Sequence, residues 1–400
     1  MRPWMDRLSL TDPRAVRNIW IVWIVFFAII AVIVANPSNR RTVTPIYRTS
    51  SINWFEGKDL YTPGIDGYLY LPHECILYAP LSRLPFPVAE VLWRAFCIGL
   101  LALAVWRLAR FGGRSAGREL FPLMSLLVIP TALECARNGQ VNLPLAALMT
   151  FAGIDLAERR WWTATLWLVL ALALKPVVMV MLALTAFLFA PMRWRLAAGL
   201  AILFAAPFLT QQPSYVWNQY KLYTVKIRVA GTPDELDYFS DLFGILGAMG
   251  INVPTAVRTV LRLAAAALTL VLCRFALKHR GHARGAVFFY TFNVCYLMLF
   301  NPRTENNTYV IAGVPMALFA SRAILCDGWK GIGLILAALA PIMSASYEIT
   351  RGVNHWVCPS ICLVFFLYSI WLCLADMPRA SGFPDGKPGG TLNPGDHNGL

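Results

Sequence analysis

Four short polar motifs in a largely apolar chain carry residue types that could do chemistry. The first, Glu-Cys-Ala-Arg-Asn-Gly-Gln-Val-Asn, covers residues 134–142. Its Arg137, Gln140 and Asn142 suit hydrogen bonding to a sugar or a phosphate, because guanidinium and amide groups donate in fixed directions. The same three residues would equally serve to cap two helix ends. The second, Lys175-Pro176, interrupts an apolar run. A cation at membrane depth is costly and is usually functional, with a lipid phosphate as its natural partner. The alternative is a side chain that snorkels to the interface. The third, Asn-Pro-Arg-Thr-Glu-Asn-Asn-Thr-Tyr (301–309), offers Asn301, Arg303 and Glu305, the last two of which could simply pair. The fourth, Tyr-Leu-Pro-His-Glu (70–74), brings Tyr70, His73 and Glu74 together. A carboxylate there could serve as a general base; interface polarity is the plainer account of His73-Glu74.

The elements that must position these motifs are membrane helices. Ala, Val, Ile, Leu, Met, Phe, Trp, Tyr and Cys make up 58% of the 400 residues, and only 14% are charged. Soluble domains carry about 25% charged residues. A soluble chain of this composition would leave large apolar patches in water. The expected fold class is therefore all-α, a polytopic membrane protein. Twelve apolar stretches stand out: 18–35, 87–107, 119–135, 142–157, 161–175, 176–191, 196–210, 255–277, 285–300, 307–323, 331–347 and 356–374. The pair flanking Lys175-Pro176 is short for a bilayer and reads as a hairpin or as one kinked helix; the hairpin keeps the charge pattern consistent. The basic lead of the first stretch lacks a cleavage site after it, so it reads as an uncleaved span.

The net charge of +14 follows a topology. With the N-terminus inside, basic clusters at Arg107–Arg118, Arg159–Arg160, Arg193–Arg195, Arg274–Arg284 and Arg322–Lys330 all fall inside, as the positive-inside rule requires. Most acids, and all four polar motifs, then face outside. This spreads the positive charge over several short loops and argues against nucleic acid as a partner. The chain divides into a cytoplasmic N-terminus (1–17), a membrane domain (18–375) and a disordered cytoplasmic tail (376–400) rich in Gly and Pro. Two outside loops, 36–86 and 211–254, are long and aromatic, which points to ordered segments and short helices at the membrane interface, such as 241–249. Nine cysteines form no C-x-x-C pair, and His73 and His355 are the outside histidines without a ligand cluster. No metal and no cofactor is expected.

The motifs in order also resemble a known family. They are YRTSSINWFEGKDLY (47–61), YLYLPHECILYAPLSRLP (68–85), NGQVNLPLAALM (138–149), LALALKPVVMVML (170–182) followed by Arg193-Trp194-Arg195, and NPRTENNTYVIAGVP (301–315). This set is similar to glycosyltransferase family 87, membrane enzymes of the GT-C type that include polyprenol-phosphate-mannose-dependent mannosyltransferases. The resemblance implies a bacterial plasma-membrane enzyme with both termini cytoplasmic. It would move a sugar, mannose by family, from a polyprenyl-phosphate donor to a lipid or glycan acceptor on the outer face. A loop carboxylate would deprotonate the acceptor, and Lys175, Arg137 and Arg303 would hold the donor phosphate. Tyr70, His73, Gln140, Asn142, Asn301 and Glu305 would contact sugar or acceptor. Two departures stand out. The family's base is an Asp just after the first span, yet residues 36–46 contain no acid. The family's late His is also missing, with Asn306 and Asn307 in its neighbourhood. The carboxylates that could substitute are, in order, Glu74, Asp59 and Asp66. A transporter or flippase of lipid-linked sugars, or a non-catalytic relative, is the alternative; transport predicts ionisable residues along the spans.

Overall fold

The computed structural model describes residues 13–36, 41–64, 66–230, 239–349 and 354–375. The extreme N-terminus and the 376–400 tail lie outside these residues. Secondary structure among the described residues is helical throughout. The helices are α1 (Pro13–Ala35), α2 (Thr44–Phe55), α3 (Pro72–Ser82), α4 (Phe86–Gly113), α5 (Phe121–Asn138), α6 (Asn142–Ala157), α7 (Trp161–Leu174) and α8 (Met179–Leu188). They continue as α9 (Arg193–Ala205), α10 (Pro213–Ala230), α11 (Leu242–Ala248), α12 (Thr255–His279), α13 (His282–Phe300), α14 (Val310–Leu325), α15 (Lys330–Ile349) and α16 (Asn354–Leu374).

Each of the twelve apolar stretches coincides with a helix. Seven helical segments are long and apolar enough to cross a bilayer: Pro13–Ala35, Phe86–Ala116, Ala190–Leu209, Thr255–His279, His282–Phe300, Asn306–Leu325 and His355–Leu374. Four more apolar helices are shorter: Asn142–Ala157, Trp161–Leu174, Pro176–Leu188 and Lys330–Met343. The short ones are short for visible reasons. Pro176 removes a backbone donor and forces Lys175 into extended backbone (φ −153°, ψ 128°), which ends α7. Trp161, which opens α7, and Phe189, which follows α8, bring their rings to 6.2 Å. The chain therefore turns back at Lys175, as the hairpin reading expects.

Burial sorts the helices into a centre and a periphery. Every residue of α6 is buried, and α13 and α14 are buried nearly throughout. On α1, Ile19, Trp23, Phe26, Ile30 and Val34 turn inward at helical spacing, while Ile21, Ile24, Ile29 and Val32 are exposed. On α12, Val260, Leu263 and Val271 are likewise exposed. Apolar residues on an outer face are what lipid contact requires.

The two long loops contain α2, α3, α10 and α11 and pack on each other. Trp54, Leu60, Tyr61, Tyr68, Cys75 and Val216 form a small apolar cluster of their own. Trp54 donates to Thr210 Oγ1 (3.0 Å), and Tyr215 donates to the Lys58 carbonyl (2.6 Å). Lys226 of α10 donates to the carbonyls of Thr62, Gly64 and Asp66. Much of the loop aromatic content is therefore an internal core. At the opposite end of α4, Arg107 pairs with Asp155 and lies 3.6 Å from Glu158, which also meets Arg114 (3.5 Å) and Arg160 (3.4 Å). Part of the basic excess is neutralised where it sits.

Close helix contact is set by small residues. A Cβ at Gly285 would lie 2.7 Å from Leu277 Cα and 2.8 Å from the Ala276 carbonyl oxygen, both on α12. Backbone cannot yield as a side chain does. Gly285→Ala is expected to cost about 1–3 kcal/mol. Gly99→Ala, which meets nothing within 4 Å, is expected to be neutral or stabilising. Thermal unfolding of the two purified variants in detergent checks the contrast.

Candidate functional site

The turn between α5 and α6 is built before its side chains are counted. Gly139 adopts a left-handed conformation (φ 72°) and closes α5 through Gly139 N–H to the Cys135 carbonyl (2.8 Å). The carbonyls that follow find partners from elsewhere. Arg94 Nε donates to Ala136 (2.8 Å) and Arg94 Nη2 to Arg137 (3.1 Å). Val43 N–H donates to Asn138 (3.0 Å), and Trp93 Nε1 donates to Gly139 (2.7 Å). The end of α5 is thus satisfied without the side chains of Gln140 or Asn142. Capping does not account for those two amides.

They build a network instead. Asn142 Nδ2 donates to Gln140 Oε1 (2.8 Å) and Asn307 Oδ1 (2.9 Å), and Lys175 Nζ donates to Asn142 Oδ1 (3.0 Å). Gln140 Nε2 and Asn307 Nδ2 both donate to Glu305 Oε2, at 3.1 and 3.3 Å. Three segments far apart in sequence meet here: the 138–142 turn, the tip of the α7–α8 hairpin and the 301–309 loop. Asn142 is buried, while Glu305 is exposed at the edge of the network. Lys175 is half-buried, with Glu305 and Arg303 close enough to act on its charge. An ammonium has three N–H groups, and Asn142 is its one hydrogen-bond acceptor among the described residues. The remaining donor capacity beside Arg303 and two amides suits an oxyanion such as a phosphate.

A chain of aromatics leads from this network to Glu74. The Tyr70 hydroxyl is 3.2 Å from that of Tyr47, and burial raises its pKa, with Glu74 and Glu305 both close enough to add to the effect. Glu74 lies in the first turn of α3, and its side chain is buried. Among the described residues neither carboxylate oxygen has a hydrogen-bond partner, and the nearby Tyr68 hydroxyl donates to the Leu71 carbonyl instead. Burial pushes its pKa up to about 8, with the Tyr68 hydroxyl offsetting part of the rise. Glu74 is therefore mostly protonated at neutral pH.

Of the other expected site residues, Arg303 lies near Lys175, whereas His73, Asp59, Asp66 and Asn301 find partners elsewhere. His73 Nε2 bonds to the Leu203 carbonyl (2.9 Å), and the ring packs on Phe204 and Tyr220. Burial lowers its pKa to about 4, so the imidazole is neutral. Asp59 is exposed and accepts from Gln219 of α10 (2.8 Å). Asp66 is exposed, and its carbonyl holds Lys226. Asn301 donates to the nearby Thr304 Oγ1 (3.4 Å). Arg137 is partly buried in the last turn of α5. Arg303 lies over the Phe239 ring at 5.3 Å, while Glu305 turns to Gln140 and Asn307, so the two do not serve merely to neutralise each other.

Two features escape sequence reading. Asn307 is central to the network, though only its place in an Asn-rich loop hinted at this. Glu90 and Arg94 form a fully buried pair (3.1 Å) with Thr42 and Thr44. Their i, i+4 spacing in an apolar stretch is the signal that could have found them. Among the described residues, no group of three or more His, Cys, Asp or Glu is placed to hold a metal ion.

Comparison with known proteins supplies the class. No curated protein matches the chain. A family model, glycosyltransferase family 87, matches residues 68–302. That stretch contains Tyr70, Glu74, Gln140, Asn142 and Lys175, and it stops just before Arg303, Glu305 and Asn307. It covers more than half of the 400 residues, so the chain, an integral membrane protein by its long apolar helices, belongs to glycosyltransferase family 87.

Proposed function

We propose that this protein transfers a sugar from a polyprenyl-phosphate donor to a lipid or glycan acceptor at the outer face of a bacterial plasma membrane. The reading includes a GT-C-like arrangement with twelve crossings, both termini cytoplasmic, and mannose as the first donor to try. One observation carries it: Lys175, Gln140, Asn142, Glu305 and Asn307 share a hydrogen-bonded network at one end of the helix bundle. A donor whose tail lies in the bilayer presents its phosphate at the depth of helix ends.

The reaction follows from these groups. The acceptor hydroxyl loses its proton to a carboxylate as its oxygen attacks the anomeric carbon. The new C–O bond forms in line as the bond from carbon to the phosphate oxygen breaks, and the phosphate keeps the electron pair. Lys175 and Arg303, with Arg137 at the same turn, stabilise the charge that develops on the departing phosphate. Glu74 is the base first favoured by its sequence segment. Its buried carboxyl must ionise before it can act, so activity through Glu74 would rise with pH toward about 8. Glu305 is the second reading, because it is exposed and lies within the Lys175 network.

Incubation of the purified protein with a panel of radiolabelled polyprenyl-phosphate sugars tests the class and the donor. Product is expected with at least one donor, and Lys175→Ala is expected to lower turnover about 10²-fold. Glu74→Gln and Glu305→Gln separate the two bases: the true base loses turnover, and the other variant keeps most of it. No product with any donor, together with movement of lipid-linked sugar across a vesicle membrane, would favour the transporter.

Glu74 also predicts a pH dependence of stability. Its folded pKa of about 8 lies above the ordinary value of 4.5, so the folded state binds more protons between these limits. Stability contributed by this group is therefore full below about pH 4.5 and falls as pH rises toward about 8. Glu74→Gln is expected to remove that decline. Melting temperatures of wild type and variant across the same range check it.

A further inference from the structure

Glu90 and Arg94 are charged residues inside a membrane-crossing helix, and the proposed reaction does not use them. Both side chains are fully buried and lie one helical turn apart. Arg94 spends its donors on Glu90, Thr42 Oγ1 (3.0 Å) and the carbonyls of Ala136 and Arg137. Glu90 accepts from Thr42 (2.9 Å) and from Thr44. The pair thus joins three pieces: α4, the start of the first long loop, and the end of α5. Gly139 lies against it, and a Cβ there would fall 2.3 Å from Arg94 Nη1 and 2.4 Å from Cζ. The next residue is Gln140, and Asn142 follows two positions later.

We propose that the Glu90–Arg94 pair is a positioning element that fixes where Gln140 and Asn142 present their amides to Lys175. This rests on the reading of the Lys175 network as the donor-phosphate site. The physical argument is one of transmission. Asn142 is the hydrogen-bond acceptor for Lys175, and Gln140 holds Glu305, so a displaced turn moves the acceptor of the ammonium and the anchor of the carboxylate together. A misplacement of about 1 Å at such a site can cost up to about 10²-fold in function. The bonds of the pair go to Thr42, Thr44 and the α5 carbonyls and not to Lys175, Gln140 Nε2 or the Asn142 amide. The pair acts through the turn, by satisfying the α5 carbonyls in one geometry and by leaving room only for glycine at position 139.

The test is equilibrium binding of a radiolabelled short-chain polyprenyl monophosphate to the full-length protein in detergent, with thermal unfolding measured on the same samples. Lys175→Ala is the reference for the site. Gly139→Ala pushes the turn off the guanidinium, and Thr42→Val removes a shared partner while leaving the ion pair in place. Both are expected to lower the melting temperature and, measured on the protein that remains folded at the assay temperature, to weaken binding roughly tenfold or more. If Lys175→Ala weakens binding but both positioning variants bind as wild type does, the inference is overturned and the donor-site reading stands. Loss of binding that merely parallels loss of folded protein in both variants also overturns it. If Lys175→Ala binds as tightly as wild type, the donor-site reading falls and takes the inference with it.

Discussion

A guanidinium cannot be left alone in a membrane bundle. Arg94 is fully buried, so its charge and its N–H groups must all be answered within reach. Glu90 answers the charge. The carbonyls of Ala136 and Arg137 answer donors that a helix carboxylate alone could not. Those carbonyls are themselves orphans, because the last turn of α5 has no residues beyond it to supply N–H groups. Two unsatisfied sets therefore cancel, and the cation also sits favourably at a helix C-terminus. Breaking such a buried pair typically costs about 3–5 kcal/mol. The start of α4, the end of α5 and the segment after α1 cannot be moved independently, and the network around Lys175 is assembled on that fixed base.

The next constraint acts at the α7–α8 break. Pro176 cannot continue α7, and the residue before a proline is driven to extended backbone. Lys175 occupies that position, so its side chain leaves at a helix end instead of along a lipid-facing flank. Its ammonium meets an amide already committed to two neighbours. Asn142 uses both N–H groups on Gln140 and Asn307 and its carbonyl oxygen on Lys175, which fixes the amide's orientation. A network in which each member orients the next is stiffer than a cluster of loop side chains. The residual capacity lies with Lys175 and the exposed Glu305, which is where an outside molecule could be met.

How far the sequence could reach follows from what each feature depends on. The apolar stretches are legible because a bilayer demands about 20 apolar residues in a row and a helix to satisfy the backbone. The polar motifs of Gln140–Asn142, Lys175 and Glu305 are legible because polar groups among such stretches need a reason. Their convergence was expected only as a shared face, and the structure brings them into hydrogen-bond contact. Asp59 and Asp66 show the limit. In sequence they are loop carboxylates like Glu74, but pairing of Asp59 with Gln219, and of the Asp66 carbonyl with Lys226, depends on α10, about 160 residues away. The Glu90–Arg94 pair was half legible: its i, i+4 spacing in an apolar stretch is a local sign, but its partners come from residues 42–44 and 136–137, which no local pattern announces. The length of a span is legible only where no proline or charge cuts it short, and so α7 and α8 read ambiguously.

The distribution of charge along the central helices bears on which class of chemistry this bundle supports. On α4, no Asp, Glu, Lys, Arg or His lies between Arg94 and Arg107, about 20 Å of helix. On α6, none lies between Asn142 and Asp155, and α13 has none after Arg284. On α14, none precedes Arg322. Charges at the far end are bound to one another, as Arg107 is to Asp155 and Arg322 to Asp327. A path for an ion or a charged headgroup through the bundle would need ionisable or strongly polar groups along it. The middle of this bundle instead packs apolar side chains and a few hydroxyls and amides, such as the Thr150–Tyr290 pair. On these four helices charge is thus held at the two ends and is absent from the middle. A reaction carried out at one membrane face by a donor anchored in the lipid fits that division of the molecule better than passage through it.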